Sequence, residues 1–177
     1  AITARALTIS AHGIDKIYDN LAGASVTLSD DRVSGDVFTN SYSTAAFADK
    51  NVGVAKSVSV SGISISGTDA GNYTLNSTAS TTADITTLAI TGSITAANKV
   101  YDGGVAASIN GHSLVGVLGS DVVSFIGGSA TFANKNVGAG KTVSATGLSL
   151  SGADAGNYTV NSTATTTADI TQLAITG

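Results

Sequence analysis

Residues Gly67 to Thr91 read GTDAGNYTLNSTASTTADITTLAIT, and nearly the same sequence returns at Gly152 to Thr176 as GADAGNYTVNSTATTTADITQLAIT. Equivalent residues in the two stretches, such as Tyr73 and Tyr158, stand 85 positions apart. Self-similarity at a fixed period is the sequence signature of tandem structural units. The chain is therefore predicted to contain two copies of one domain.

The two domains are predicted at residues 1–86 and 87–177. In the front half, Tyr18 and Tyr101 stand 83 positions apart, so the second copy carries two additional residues. Residues 170–177 match the start of a unit, and we expect a further repeat to begin there. A unit of about 85 residues is long enough to bury a core of its own.

The composition favours small aliphatic cores in an all-β fold. Hydrophobic residues make up 42% of the chain but aromatic residues only 5%, and Trp, Met, Cys and Pro are absent. Apolar and polar residues alternate along most segments, which is typical of half-buried strands. Without Cys, neither disulfides nor thiol catalysis is available.

Charge and hydropathy narrow the expected partners. The net charge is −4 and there is no polybasic stripe, so we expect no binding to nucleic acid. No apolar run approaches the roughly 20 residues of a membrane helix, and we expect no membrane insertion. We expect a monomer whose partners are neighbouring repeats of the same chain.

Several local expectations follow from turn and strand signals. Strands are predicted to begin at Asp36-Val37-Phe38 and at Asp121-Val122-Val123. Asn110-Gly111, near the extra residues of the second copy, has the composition of a two-residue hairpin turn. Gly62 shifts the apolar alternation and predicts a bulge or a change of strand.

The segment Asp69-Ala70-Gly71-Asn72-Tyr73, with an apolar strand on each side, is similar to the tyrosine corner of immunoglobulin-type sandwiches, in which the hydroxyl binds nearby backbone. The last strand of the first unit, ending in ADIT, passes into LAIT without Gly or Pro. We therefore predict an all-β fold: two tandem immunoglobulin-like β-sandwich domains arranged end to end.

The candidate site residues are a recurring set of Tyr and Asp side chains, predicted to hold turns and corners. No nucleophile elbow and no metalloprotease motif occurs, and we predict no catalytic residue, no enzymatic activity and no dedicated metal ligand. The set comprises Tyr18, Asp19, Asp69, Tyr73, Asp84, Tyr101, Asp102, Asp154, Tyr158 and Asp169.

Four ordered motifs occur in both copies: K-[IV]-Y-D, F-A-[DN]-K-N-V-G, S-G-x-D-A-G-N-Y-T and T-A-D-I-T. In this order they resemble the YDG-type repeats found in tandem in large bacterial surface and secreted adhesins similar to filamentous haemagglutinin. Only the second copy keeps the glycine of Tyr-Asp-Gly, at Gly103, whereas the first has Asn20. The resemblance implies a stalk or adhesive module at the surface of a Gram-negative cell, and it implies no catalytic residues.

The function expected from these observations is that of a rigid extracellular spacer that projects a binding tip. The alternative is a module that itself binds glycan, calcium or a neighbouring adhesin chain in a biofilm. Calcium is the one cofactor considered, because Asp30, Asp31 and Asp36 lie close together in D-D-R-V-S-G-D and oxygen-rich loops hold calcium.

The sequence also contains candidate positions for two covalent modifications. Lys16 and Lys99, each beside Tyr and Asp, are candidates for an isopeptide bond, against the simpler reading of a lysine lying along a sheet edge. Four N-x-T sequons could accept sugar, at Asn72, Asn76, Asn157 and Asn161.

Overall fold

The computed structural model of the chain describes residues 1–176. These residues divide into two compact units, Ala1–Thr87 and a second that begins at Leu88. Strands dominate both units, and the only helical elements described are single 3₁₀ turns at Ala70–Asn72 and Ala155–Asn157. The predicted all-β class with two tandem β domains is confirmed.

Unit 1 contains ten strands. They are β1 (Arg5–Leu7), β2 (Ile9–Ile14), β3 (Lys16–Ile17), β4 (Ser25–Asp30), β5 (Thr39–Ser41), β6 (Thr44–Phe47), β7 (Gly53–Ser61), β8 (Ser64–Ser66), β9 (Tyr73–Leu75) and β10 (Thr78–Thr86). The largest sheet has the order β3-β10-β7-β6, and the pairs β1-β9, β2-β4 and β5-β8 complete the unit.

Unit 2 contains nine strands in a corresponding arrangement. They are β11 (Leu88–Ala89), β12 (Thr91–Ala96), β13 (Lys99–Val100), β14 (Ala106–Ala107), β15 (Ile109–Val115), β16 (Ser124–Phe132), β17 (Gly138–Ser151), β18 (Tyr158–Thr159) and β19 (Thr163–Thr171). The main sheet runs β13-β19-β17-β16-β14, beside the pairs β11-β18 and β12-β15.

The start and the end of each unit are joined by parallel strand pairs. In unit 1, β1 pairs with β9 and β3 pairs with the closing strand β10. In unit 2, β11 pairs with β18 and β13 with β19. Every other ladder is antiparallel. Each opening segment is therefore fastened to the last part of its own unit.

The core of each unit is aliphatic, as the composition predicts. In β7, Val58 and Val60 alternate with exposed serines and are almost fully buried; Val143 and Ala145 occupy the equivalent places in β17. Fully burying one such valine stabilises the fold by about 1.5–3 kcal/mol. The alternation seen in the sequence thus places one face of each strand in the core.

The prediction at Gly62 and the two predicted strand starts have different outcomes. Gly62, with φ of 67°, ends β7, and the chain moves to the β5-β8 pair, so the predicted change of strand is confirmed. The predicted starts at residues 36–38 and 121–123 are wrong, since the strands begin at Thr39 and Ser124. These residues instead lie in the connections that carry Asp36 and Asp121.

The predicted hairpin turn at Asn110-Gly111 is also wrong. Both residues lie inside β15, where Thr95 pairs with Gly111 and Ala96 with Ile109. Asn110 is left unpaired as a bulge, and its Oδ1 accepts a hydrogen bond of 2.7 Å from the Thr95 hydroxyl. An additional residue can be absorbed as a bulge without changing which side chains face the core.

Candidate functional site

The corner tyrosine of unit 1 connects two distant parts of the chain. The Tyr73 hydroxyl accepts a hydrogen bond of 3.0 Å from the backbone N–H of Val33 and donates to Asp36 Oδ2. Its ring is buried and meets the ring of Phe38 edge to face, with centroids 5.2 Å apart. The predicted bond to nearby backbone is wrong, because the backbone partner lies 40 residues upstream.

The same connection recurs in unit 2. The Tyr158 hydroxyl accepts from the backbone N–H of Leu118 at 3.0 Å and donates to Asp121 Oδ2 at 2.6 Å. Asp121 is the counterpart of Asp36. Asp36 lies in the connection that precedes β5, and Asp121 lies in the connection that precedes β16. Each tyrosine therefore holds this connection against the 3₁₀ turn of its own unit, through hydrogen bonds between residues that are distant in the sequence.

The aspartates of D-A-G-N-Y close the same corner from the other side. Asp69 Oδ2 accepts the backbone N–H of Val37 at 2.8 Å, and the backbone N–H of Asp69 donates to the Val37 carbonyl at 3.3 Å. Asp154 makes the same pair of bonds with Val122, at 2.8 and 3.2 Å. Each aspartate thereby joins its own turn to the connection before β5 or β16, and it satisfies backbone groups where no regular strand pairing is available.

The K-[IV]-Y-D motif of unit 1 holds a tight turn. Lys16 Nζ donates to Asp19 Oδ1 at 2.7 Å and to the carbonyls of Leu21 and Gly23, while Asp19 Oδ1 also accepts the N–H of Leu21. Tyr18 is buried in the core, with 2% of its surface exposed. The motif therefore combines a core anchor with a lysine that satisfies backbone carbonyls.

In unit 2 the motif makes the same turn around its glycine. Lys99 Nζ donates to Asp102 Oδ1 and to the Gly104 carbonyl, both at 2.8 Å. Gly103 has a φ of 80°, and Asn20 in unit 1 has a φ of 65°. Asn is one of the few residues that enter this left-handed region readily, which explains why the first copy keeps the turn without the glycine. Tyr101 packs half-buried against the core of unit 2.

Asp84 and Asp169, in the closing strands, support a second left-handed position. Asp84 Oδ1 accepts the backbone N–H of Ala55, whose φ is 50°, and Asp169 Oδ1 accepts that of Gly140, whose φ is 59°. Both bonds are 2.7 Å long. These carboxylates therefore stabilise the irregular start of β7 and β17, where the ladder with the closing strand shifts register.

One pair of asparagines has a structural role that the sequence motifs do not predict. Asn76 accepts the backbone N–H of Ile9 at 2.8 Å and donates to the carbonyl of the same residue at 2.9 Å. Asn161 makes both bonds to Gly92. Each amide nitrogen uses both of its N–H groups, since Asn76 also donates to Thr78 and Asn161 to Thr163, so a sugar that replaces one N–H would break one of these bonds. The recurrence of N-S-T in both copies is the one sequence feature that could indicate this role. The same three residues also form a glycosylation sequon, so the pattern does not distinguish the two interpretations.

The acidic cluster of D-D-R-V-S-G-D does not converge on one point. Asp30 is bound by Arg32, Asp31 accepts the backbone N–H of Thr8, and Asp36 accepts the Tyr73 hydroxyl. Within residues 1–176 no group of three or more His, Cys, Asp or Glu side chains is placed to hold a metal ion. The three carboxylates that motivated the calcium alternative thus serve three separate contacts.

The structure thus places the ten predicted residues in two corresponding sets, one in each unit: eight hold corners and turns, whereas Tyr18 and Tyr101 pack against the cores. Among the residues it describes, no helix is long and apolar enough to cross a membrane. Comparisons with curated proteins and with solved structures found no match. The family model for the YDG domain matches residues 3–83 and again residues 82–168. These two matches take in both sets of motifs, and the chain belongs to the YDG domain family.

Proposed function

We propose that these two YDG domains are spacer repeats of a large extracellular bacterial adhesin, and that they hold a binding tip away from the cell surface. The proposal assigns the chain a mechanical role and no catalytic one. It rests on the family, on the repetition of one set of internal contacts, and above all on the short connection between the two units.

The connection is the observation that carries the proposal. The closing strand β10 of unit 1 ends at Thr86, and the opening strand β11 of unit 2 begins at Leu88. Thr86 pairs with Ile17 in its own unit and Leu88 with Tyr158 in its own. A single residue, Thr87, is therefore free of both ladders, and one extended residue spans at most about 3.6 Å. We expect such a connection to restrict bending.

The parallel pairs support a mechanical role within each unit. Tension on a stalk pulls the start and the end of a unit in opposite directions. In a parallel pair such as β3-β10, this pull slides the strands along each other and loads their hydrogen bonds together. The pair is extended by a further bond of 2.8 Å from the Tyr18 N–H to the Thr86 carbonyl. An antiparallel terminal pair would instead open one bond at a time.

Small-angle X-ray scattering of the two-unit chain tests the spacer proposal. A spacer should scatter as an elongated particle, with one narrow distribution of inter-unit orientations. Residual dipolar couplings measured on the two units should then fit a single common alignment tensor. A compact particle, or two units that align independently of each other, would remove the mechanical basis of the proposal.

A further inference from the structure

One short apolar segment occurs three times in the chain. The three copies are Arg5-Ala6-Leu7-Thr8, Leu88-Ala89-Ile90-Thr91 and Leu173-Ala174-Ile175-Thr176, and the last two are identical. The first opens unit 1, the second opens unit 2, and the third follows the closing strand β19. We call them the first, second and third segments.

The first and second segments are each bound inside the unit that they open. The first forms β1, which pairs in parallel with β9, and the second forms β11, which pairs in parallel with β18. The second pair is extended by a bond of 2.8 Å from the Ile90 N–H to the Thr159 carbonyl. Leu7 and Ile90, which hold equivalent positions, are buried, with 3% and 7% of their surface exposed. Each unit therefore contains one receptor strand, and its own opening segment fills it.

An asparagine secures each bound segment two residues beyond its buried aliphatic side chain. Asn76 bonds both the N–H and the carbonyl of Ile9, and Asn161 does the same at Gly92. The receptor thus consists of the strand after the 3₁₀ turn together with this asparagine. The same combination occurs in both units, so it is a constant part of the domain.

The third segment is exposed instead. Residues 172–176 lie outside the strands and every one of them is exposed. Ile175 holds the position of Ile90 but has 95% of its surface exposed, and Leu173 has 59%. With Tyr101 and Val137, these two side chains line an open cleft of about 580 Å³ on unit 2. Residues 1–176 therefore contain three such segments but two receptors, and the unbound one leaves apolar side chains in water, as interaction sites do.

We propose that the third segment is a donor strand that binds a further YDG domain, by pairing in parallel with the strand after that domain's 3₁₀ turn. Addition of a strand to an open sheet edge is a general mode of recognition, in which backbone bonds supply affinity and side-chain pockets supply specificity. The receptor at β18 already accepts the identical sequence in the second segment. Sequence similarity predicts that a repeat begins near residue 170, and the structure adds which residues bind and what receives them.

A second copy of this chain is a poorer partner for the third segment. Both of its receptors are filled by its own opening segments. These segments are covalently joined to the units that bind them, so their effective concentration exceeds that of a strand from another molecule. The inference rests on the proposed spacer array, because an array supplies a domain directly after this segment.

A three-unit chain tests the proposal. In it, residues 93–171 are repeated after Gly177, so the third segment precedes a copy of unit 2 that has no opening segment of its own. We expect the added unit to fold. Amide hydrogen exchange at Ile175 should slow by at least about a hundredfold relative to the two-unit chain, because its N–H gains the partner that Ile90 has and opens only with the added unit.

Mass spectrometry of proteolytic peptides reads both effects. Peptides of the third segment carry Gln172, where those of the second carry Thr87, so the two segments are distinguished. Peptides common to unit 2 and its copy should show one protected population if the copy is folded and two populations if it is not. In the two-unit chain, the Ile175 amide should exchange at the rate of an open segment at every protein concentration.

Variants at Ile175 separate donation of the strand from mere proximity. In the three-unit chain, Ile175→Asp puts a charge where Ile90 is buried in unit 2, and it should unfold the added unit while units 1 and 2 stay protected. The matched control Ile175→Val keeps an apolar β-branched side chain and should keep the added unit folded. In the two-unit chain, Ile175→Asp lies at an exposed position and should leave the protection of unit 2 unchanged.

Three results would overturn the proposal. The first is an added unit that folds while Ile175 stays unprotected, or that folds equally well with Ile175→Asp. The second is an added unit that stays unfolded although the third segment is intact. The third is protection of Ile175 in the two-unit chain that grows with protein concentration, which would make a second copy the partner. Scattering tests the orientation of units and this experiment tests the folding of one, so the spacer proposal and the donor strand can fail separately.

Discussion

Tyr158 donates its hydroxyl hydrogen to Asp121 Oδ2 at 2.6 Å, across 37 residues of the chain. The same hydroxyl oxygen accepts the backbone N–H of Leu118 at 3.0 Å. One buried phenol thus fixes the connection before β16 to the turn before β18. Its counterpart Tyr73 makes the equivalent two contacts in unit 1.

Removing this hydroxyl should destabilise unit 2 while the ring stays packed. Tyr158→Phe deletes two hydrogen bonds, one of them to a carboxylate, and each of the two groups at Leu118 and Asp121 loses a partner. We expect a loss of about 1–3 kcal/mol in the free energy of unfolding of unit 2. Native-state hydrogen exchange on the whole chain measures it, since protection in each unit is read separately.

Tyr101→Phe is the matched control within the same unit. The Tyr101 backbone N–H donates to the Thr171 carbonyl, but its hydroxyl forms no hydrogen bond with any of residues 1–176. We expect a change within about 0.5 kcal/mol, as for a substitution away from such a feature. If Tyr158→Phe changed exchange protection as little as this control does, the tie to Asp121 would carry no stability.

The class of fold and the recurring Tyr and Asp residues could be predicted from the sequence, but the hydrogen-bond partners of these residues could not. Recurrence identified Tyr158, and alternation identified the strands, because both depend on local pattern. The hydroxyl of Tyr158 reaches residues 37 and 40 positions away, and no local pattern encodes that distance. The parallel pairing of the short opening strands was missed for the same reason.

The contacts of Asp30 show a second limit of sequence reasoning. The segment D-D-R-V-S-G-D has the composition of an acidic cluster, but its pattern does not show that Arg32 and Asn40 both bind Asp30. Asn40 lies ten residues from Asp30, on another strand, and Asp30 brings the two together. The two additional residues of the second copy also led to a wrong prediction of a turn at Asn110-Gly111. A bulge within a strand and a turn both accept an additional residue, so the length difference alone does not distinguish them.

The packing of Phe125 predicts a steric dependence on Gly92. A Cβ at Gly92 would lie 2.4 Å from atoms of the Phe125 ring, which is too close for any real contact. Gly92→Ala should therefore displace the ring and destabilise unit 2 by about 1–3 kcal/mol, the usual cost of overpacking. Hydrogen exchange in unit 2 would measure the loss.

A double variant tests the cause of that loss. Phe125→Leu provides room for the added methyl group, so Gly92→Ala should cost clearly less in the Phe125→Leu background than in the wild type. Such non-additivity is expected for residues in direct contact. Equal costs in both backgrounds would mean that Gly92 is required for its backbone and not for the space it leaves.

Acid should destabilise unit 1 through Asp30. The bonds from Arg32 hold the pKa of Asp30 well below its ordinary range. Because the folded pKa is lowered, this stabilisation is complete above the unfolded value of about 3.9 and is lost as the pH falls towards the folded value. Asp30 pairs with Ile9 as Leu114 pairs with Gly92 in unit 2, so the equivalent position there has no titratable group.

The measurement is exchange protection or thermal unfolding of unit 1 between about pH 6 and about pH 2. Arg32→Gln should bring the pKa of Asp30 closer to its ordinary value, so the stability of unit 1 should depend less on pH below about 5. An unchanged acid slope in Arg32→Gln would assign the acid loss to other carboxylates.

Intact mass should equal the mass calculated from the sequence. Condensation of a lysine with an aspartate requires an uncharged amine and a protonated acid, whereas Lys99 lies 2.8 Å from Asp102 as an ion pair. The hydrogen bond from Lys99 also lowers the pKa of Asp102, which opposes protonation. A deficit of one water would contradict this expectation, and peptide mapping would assign it to Lys16, Lys56 or Lys99, each of which forms an ion pair with an aspartate. A deficit of one ammonia would instead indicate a bond between a lysine and an asparagine, for which Lys50 with Asn20 and Lys141 with Asn134 are the contacts described.

Lengthening the connection at Thr87 should separate the mechanics of the pair from the stability of its members. A Gly-Ser insertion after Thr87 adds two flexible residues between β10 and β11, and neither strand loses a partner in its own unit. We expect scattering and dipolar couplings to report a broader spread of inter-unit orientations, while hydrogen exchange within each unit stays nearly unchanged. The same insertion after Lys135, at an exposed turn of unit 2, should not broaden the orientations. If both insertions left the orientations as narrow as in the wild type, contacts other than the short connection would have to hold the units, and Thr87 would lose its role in the spacer.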